Sequence, residues 1–95
     1  MFEWDARKAL VNRTKHGVSF EEAATVFGDP DALDGPDLRH SEEESRFLRL
    51  GRVPTGRVLI VAYTVRRGGD GESIRIISAR RASRKERAVH AAFRD

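Results

Sequence analysis

The sequence predicts an α+β domain: two N-terminal helices, an antiparallel sheet of three or four strands, and a C-terminal helix. Two stretches, "SFEE" at 19–22 and "SRKE" at 83–86, have the Ser-x-x-Glu form of a capping box, which marks a helix start. Between them lie three runs, 46–53, 57–66 and 73–80, rich in apolar residues and separated by Gly- and Pro-bearing turns. No repeat or low-complexity linker divides the 95 residues, so a single domain over 1–95 is expected.

Taken in order, "MFEW" reads as a short opening strand, with Trp4 beside Phe2 as a core anchor. Asp5 is a suitable N-cap for a helix over 6–16 that Gly17 stops. After the tight turn "HGVS", Ser19 starts a second helix. Its Phe20, Ala23, Ala24 and Phe27 recur at i, i+3, i+4 and i+7, and "GDP" at 28–30 ends it. Residues 31–45 are polar and read as loop, with a short edge strand near Ala32–Leu33. In 46–53, Leu48 and Leu50 fall on one face, Phe47 and Arg49 on the other. "PTG" at 54–56 turns the chain into 57–66, which is apolar on both faces and therefore central. "RGGDGE" at 67–72 reads as a loop, and 73–80 pairs back. The last helix runs from Ser83 to about residue 93, with Val89, Ala92 and Phe93 expected toward the core.

Composition narrows the function. With no cysteine, disulfides and cysteine-bound zinc are excluded. The N-terminus lacks a signal-peptide pattern, and "VLIVAY" at 58–63 is too short to span a bilayer, so a cytoplasmic chain without membrane contact is expected. The acidic run Glu42, Glu43 and Glu44 reads as a solvated loop; neither a metal site nor a cofactor is expected. Charge is unevenly spread: residues 1–45 hold 11 acids and 5 bases, net −6, whereas 46–95 hold 4 acids and 13 bases, net +9. Twelve of those 13 bases are arginine, whose planar fork of donors matches phosphate, so the latter half suggests a polyanion, most simply nucleic acid. The competing reading is a solvated basic face balanced by the acidic half.

The motifs "FEWD" (2–5), "KHGVSFEEA" (15–23), "DP" (29–30), "VLIVAYTVR" (58–66) and "IRIISARRA" (74–82) followed by "ER" (86–87), in this order and spacing, resemble the BrnT family of type II toxin–antitoxin toxins. The resemblance covers nearly the whole chain. It implies a RelE-like fold and a ribonuclease activity that shuts down translation. It also implies a cognate, BrnA-like ribbon-helix-helix antitoxin, through which the pair binds operator DNA and represses its own operon. Ala6 stands where the family often has Pro, and His90 where it commonly has Tyr, which leaves an aromatic hydroxyl at that position in doubt.

RNA cleavage without a metal needs a group that takes the 2′-hydroxyl proton, donors that stabilise the crowded phosphorus, and an acid for the leaving 5′-oxygen. Arginine suits the second task but stays protonated, so it suits neither of the others. Arg66, Arg75 and Arg80 are the candidate charge stabilisers. Antiparallel pairing places Arg66 near Arg75, and Arg80 with Arg81 near the last helix; surface ion pairs are the competing reading for each. Lys15 and His16 are the candidate proton carriers. As cations at a helix C-terminus they are also favoured by the dipole, by about 0.3–1 kcal/mol. Arg46, Arg81, Arg84 and Lys85 are read as phosphate-binding. Arg84, Lys85 and Arg87 oppose the dipole at the start of the last helix, which a bound anion would relieve. Glu86 is explained by the capping box, and His40 is given no role. The sequence thus points to a metal-independent RNA endonuclease whose latter-half guanidiniums gather in one pocket, the alternative being a non-catalytic module that binds nucleic acid or antitoxin.

Overall fold

A computed structural model describes residues 1–40 and 44–93. It contains strand β1 (Phe2–Glu3), helix α1 (Ala6–His16), helix α2 (Phe20–Ala24) running on into a 3₁₀ turn (Thr25–Gly28), then β2 (Leu33–Pro36), β3 (Phe47–Arg52), β4 (Val58–Gly68), β5 (Gly71–Arg81) and helix α3 (Arg84–Ala92). The α+β class and the helix order hold. The sheet is larger than expected, with five strands in the order β1-β5-β4-β3-β2, and it is mixed because β1 pairs parallel to β5. The expected loop 67–72 is mostly strand. Gly68 pairs with Gly71, which leaves only Gly69 and Asp70 at the hairpin tip, and the positive φ of Gly71 (107°) permits the tight return.

The caps explain where the helices lie. Asp5 accepts a hydrogen bond from the Lys8 N–H (3.0 Å), and Gly17 closes α1 in the left-handed conformation with φ 69°. Ser19 accepts from the Glu22 N–H at 3.0 Å, and Ser83 with Glu86 forms the reciprocal box at the start of α3. Helices α1 and α2 lie on one face of the sheet. There Val18, Phe20, Ala23 and Val26 pack with Leu59, Val61, Ile76 and Ala79, and Trp4 closes the margin edge-on against Phe20, with centroids 6.0 Å apart. At the far side of the same face, Arg49 stacks over Phe27 at 4.3 Å and makes a two-pronged bond to Asp34 at 2.9 and 2.7 Å. The Tyr63 hydroxyl donates to the same carboxylate at 2.6 Å.

The expected inward face of α3 is corrected. Val89 and Phe93 are 46% and 68% exposed, Ala92 is exposed, and the buried side chain of the helix is His90. Its Nε2 lies 2.9 Å from the Asp29 carboxylate, which also accepts the Arg52 N–H (2.7 Å) and, through its other oxygen, the Asp31 N–H (2.9 Å). Burial raises the Asp29 pKa, but these donors outweigh it and hold the group below its ordinary value. A polar anchor therefore docks α3. Apolar periodicity could not have shown it, because a nine-residue helix leaves few positions to define a stripe.

Strand β5 carries a bulge. Ala62 pairs with Ser78 but Tyr63 with Ile76, so Ile77 is the extra residue. Since β1 pairs only with Ile74 and Arg75, the outer edge of β5 beyond them has no neighbouring strand among the described residues. Asn12, buried on α1, completes it: its side-chain carbonyl accepts the Ala79 N–H (3.1 Å), and its amide donates to the carbonyls of Ala79 (2.8 Å) and Val18 (3.0 Å). Asn12→Ala leaves these buried groups unmet and is expected to cost about 2–4 kcal/mol by urea denaturation; a loss below about 0.5 kcal/mol would refute the bridging role. Tyr63 is the sole tyrosine, and burial followed by the Asp34 carboxylate pushes its pKa up to about 12. Its phenolate absorbance is expected to rise only near pH 12 in the folded chain, and near the ordinary value of about 10 in denaturant.

Candidate nucleic-acid interface

Helix α1 runs beside the bulged edge of β5, and a groove of about 340 Å³ opens between them. Arg7, Lys8, Val11, Asn12, Lys15 and His16 line it from the helix, Ile77 and Ser78 from the strand. The spacing explains the gathering. Arg7, Val11 and Lys15 recur every four residues, as do Lys8, Asn12 and His16, so both rows share one helix face. Asn12 pins the middle of that face to Ala79, which presses the basic residues on either side of it toward the bulge. Among the described residues no carboxylate lines the groove and none of the four basic side chains forms a salt bridge, although the Asp5 carboxylate at the start of α1 attracts Lys8. Lys15 and His16, read from the sequence as proton carriers, both line this groove. Arg7 and Lys8 were not anticipated, although their four- and eight-residue spacing to Lys15 and His16 was available in the sequence.

The latter-half arginines are arranged differently. Residues paired across an antiparallel sheet share a face, so Thr64 opposite Arg75, Arg66 opposite Ser73 and Ile60 opposite Arg80 place Arg66, Arg75 and Arg80 together on the face away from α1 and α2. Arg66 and Arg75 are diagonal neighbours there, and Arg80 lies further along β5, toward α3. The expected single pocket does not form, because each guanidinium is matched by a carboxylate of the same chain. Arg66 lies 3.8 Å from Glu44, Arg75 lies 3.6 Å from Glu3, and Arg80 grips Glu86 with two bonds of 2.8 and 2.9 Å. Arg80 and Arg81 also do not form a pair facing one way, since adjacent strand residues point to opposite faces and Arg81 pairs with Leu59.

Among the residues read as phosphate-binding, Arg46 precedes β3, two strands away from β5, where its carbonyl accepts the Asp37 N–H (2.8 Å). Arg84 and Lys85 are exposed in the first turn of α3, and the capping box satisfies the helix end beneath them. Glu86 does more than cap, since it also neutralises Arg80. Of the acidic run, Glu44 pairs with Arg66, while Glu42 and Glu43 lie outside the described residues. No cluster of three or more metal-ligating His, Cys, Asp or Glu occurs among the described residues. His40 is paired with Asp37 at 3.1 Å. No helix is long and apolar enough to cross a membrane among the described residues.

A groove that gathers four basic side chains with no carboxylate in its lining, among the described residues, suits an anionic ligand. The chain is a member of the BrnT family: the family model described as the ribonuclease toxin, BrnT, of type II toxin–antitoxin systems matches residues 4–86. It is therefore a ribonuclease toxin of that kind, which implies an antitoxin partner. Its fold is similar to the 1.1 Å crystal structure of the Brucella abortus ribonuclease toxin BrnT, with a TM-score of 0.64 and 23% identity over 88% of this chain and 99% of that one. A search of curated proteins gave no match.

The Arg80–Glu86 pair makes a pH-dependent contribution. Hydrogen bonding from Arg80, then from Ser83, lowers the Glu86 pKa to about 2 against burial that raises it. A folded pKa below the unfolded one stabilises the fold above the ordinary carboxylate range, and the contribution is lost as pH falls from about 4.5 through about 2. Glu86→Gln retains the capping shape and removes the charge. The gap in melting temperature between wild type and this variant is expected to be widest above pH 5 and to close toward pH 2; a gap that stays constant with pH would exclude the ion pair as its source.

Proposed function

We propose that the toxin cleaves RNA by metal-independent phosphodiester transfer in the groove between α1 and β5. The observation that carries this reading is the set of four basic side chains, Arg7, Lys8, Lys15 and His16, lining one groove without a carboxylate, in a chain of a ribonuclease toxin family. The 2′-hydroxyl attacks the adjacent phosphorus, and the 5′-oxygen leaves. His16 is the proton carrier, because imidazole both accepts and returns a proton near neutral pH. Arg7, Lys8 and Lys15 supply fixed positive charge where negative charge builds up on the phosphate. The bulge at Ile77 and Ser78 forms the opposite wall. Arg66, Arg75 and Arg80 enter this reading as a flanking face whose carboxylate partners must release them before they touch phosphate. Arg46, Arg84 and Lys85 serve as outlying phosphate-binding groups. The partner is a BrnA-like ribbon-helix-helix antitoxin that neutralises the toxin in the cytoplasm and carries the pair to operator DNA.

Purified toxin is expected to cut single-stranded RNA in EDTA, leaving a 2′,3′-cyclic phosphate, and to spare a strand carrying 2′-deoxyribose at the cleaved position. His16→Ala is expected to slow cutting by about 10²–10⁴-fold with folding intact. RNA that stays bound but uncut by wild type would replace the enzyme with a non-catalytic binding module; full activity in His16→Ala would move the proton carrier elsewhere.

A further inference from the structure

A second basic opening, of about 400 Å³, lies between the β3–β4 turn and the start of α3 and is lined by Arg57, Arg81 and Arg87 with no carboxylate. The three guanidiniums are held differently. Arg57 is fixed by Glu22 and by the Gly17 carbonyl at 3.2 Å. Arg87 is tethered through one nitrogen to the Ala82 carbonyl at 3.0 Å, which leaves its other donors for a ligand. Arg81 is exposed, and its side chain has no partner among the described residues. Glu22 already neutralises Arg57, so Arg81 and Arg87 are the two guanidiniums of the opening without a carboxylate partner among the described residues.

The location of this opening links it to the groove beside α1. Gly17, which holds Arg57, directly follows Lys15 and His16. On the strand side, Ser78 lines the first opening and Arg81 the second, three residues further along β5, or about 10 Å. The C-terminal end of α1 lies between the two openings: His16 lines the first opening, and the Gly17 carbonyl holds Arg57 of the second. We propose that the openings form one track for a single RNA strand, in which Arg81 and Arg87 hold a backbone phosphate beyond the linkage that is cut. The inference rests on the α1–β5 groove being the RNA site. It makes the substrate a single strand several nucleotides long rather than a dinucleotide.

The test compares wild type, the double variant Arg81→Ala/Arg87→Ala, the charge-conserving Arg81→Lys and the control Arg67→Ala, whose residue is paired with Glu72 outside both openings. Binding of an uncleavable 2′-O-methyl 12-mer is followed by fluorescence anisotropy across a salt series, and dinucleotide cleavage is followed in parallel. The double variant is expected to bind the 12-mer at least tenfold more weakly, with the salt slope reduced by about 0.7 for each phosphate it no longer neutralises. Its cleavage of the dinucleotide stays at the wild-type rate, and Arg81→Lys keeps the wild-type slope. Unchanged 12-mer affinity in a folded double variant overturns the track, as does an equal weakening in Arg67→Ala. Retained RNA affinity with lost inhibition by antitoxin would assign the opening to an acidic protein segment instead. If wild type neither binds nor cuts RNA, the underlying RNA reading fails and the track falls with it.

Discussion

The geometry of the chain depends on how the outer edge of β5 is satisfied. An exposed ladder of backbone N–H and C=O groups must find partners, and β1 covers only Ile74 and Arg75. The Asn12 amide has the same donor–acceptor pair as a peptide group, so it completes the ladder at Ala79 as a further strand residue would. Because it sits mid-helix, this one side chain fixes both the height and the rotation of α1. With rotation fixed, residues 7, 8, 15 and 16 have to face the bulge, and the basic groove follows. The third bond, to the Val18 carbonyl, binds the turn into α2 to the same point.

Charge is used in two ways. On the face of the sheet away from α1 and α2, Arg66, Arg75 and Arg80 are matched by Glu44, Glu3 and Glu86, and on the helical side Arg49 and Arg57 are matched by Asp34 and Glu22. Exposed pairs of this sort contribute only about 0–1 kcal/mol each, so they do little for stability. They do explain how a chain with 12 arginines in its latter half avoids strong self-repulsion there. The groove beside α1 lacks such matching. A surface selected for stability alone would place a carboxylate among Arg7, Lys8, Lys15 and His16, as it has done for the other face. No carboxylate takes that place in the lining among the described residues, which leaves these four groups open to an external anion.

Much of the fold was legible because local chemistry and global packing agree. Asp5, Gly17, Ser19 and Ser83 bound their helices where the caps require, and 57–66 is central because it is apolar on both faces. Features that depend on pairing between distant segments were not legible. The opening strand was read from "MFEW", but two residues cannot show that it pairs parallel to β5, and the hairpin extends past 66 and 73 because glycines that favour turns also tolerate extended pairing. At the site, Lys15 and His16 were legible from their place at the end of a helix. Arg7 and Lys8 required knowing which face of α1 is inward, and that face is set by one asparagine rather than by an apolar stripe. Composition misleads about the arginine pocket because it counts charges without showing their partners. Glu3 and Glu44 come from the acidic half, 72 and 22 residues away from the arginines they meet.

His90 resolves the question its position raised. The family resemblance leads to the expectation of a tyrosine there, whose aromatic hydroxyl could in principle take part in proton transfer. In this chain the imidazole is 1% exposed, with Nε2 directed at Asp29. Because the Asp29 pKa lies below its ordinary value, the carboxylate is ionised at neutral pH, and Nε2 must be the donor in that contact. Asp29 at the same time accepts the Arg52 N–H at the end of β3, so the ring ties α3 to the sheet through a shared carboxylate. A buried tyrosine would offer the same two properties, a flat ring and a single terminal donor. In this chain the position supplies an aromatic donor that seats the last helix. A ring sealed from solvent cannot meet an RNA linkage, whereas His16, at the open end of α1, lines the groove in which cleavage is proposed.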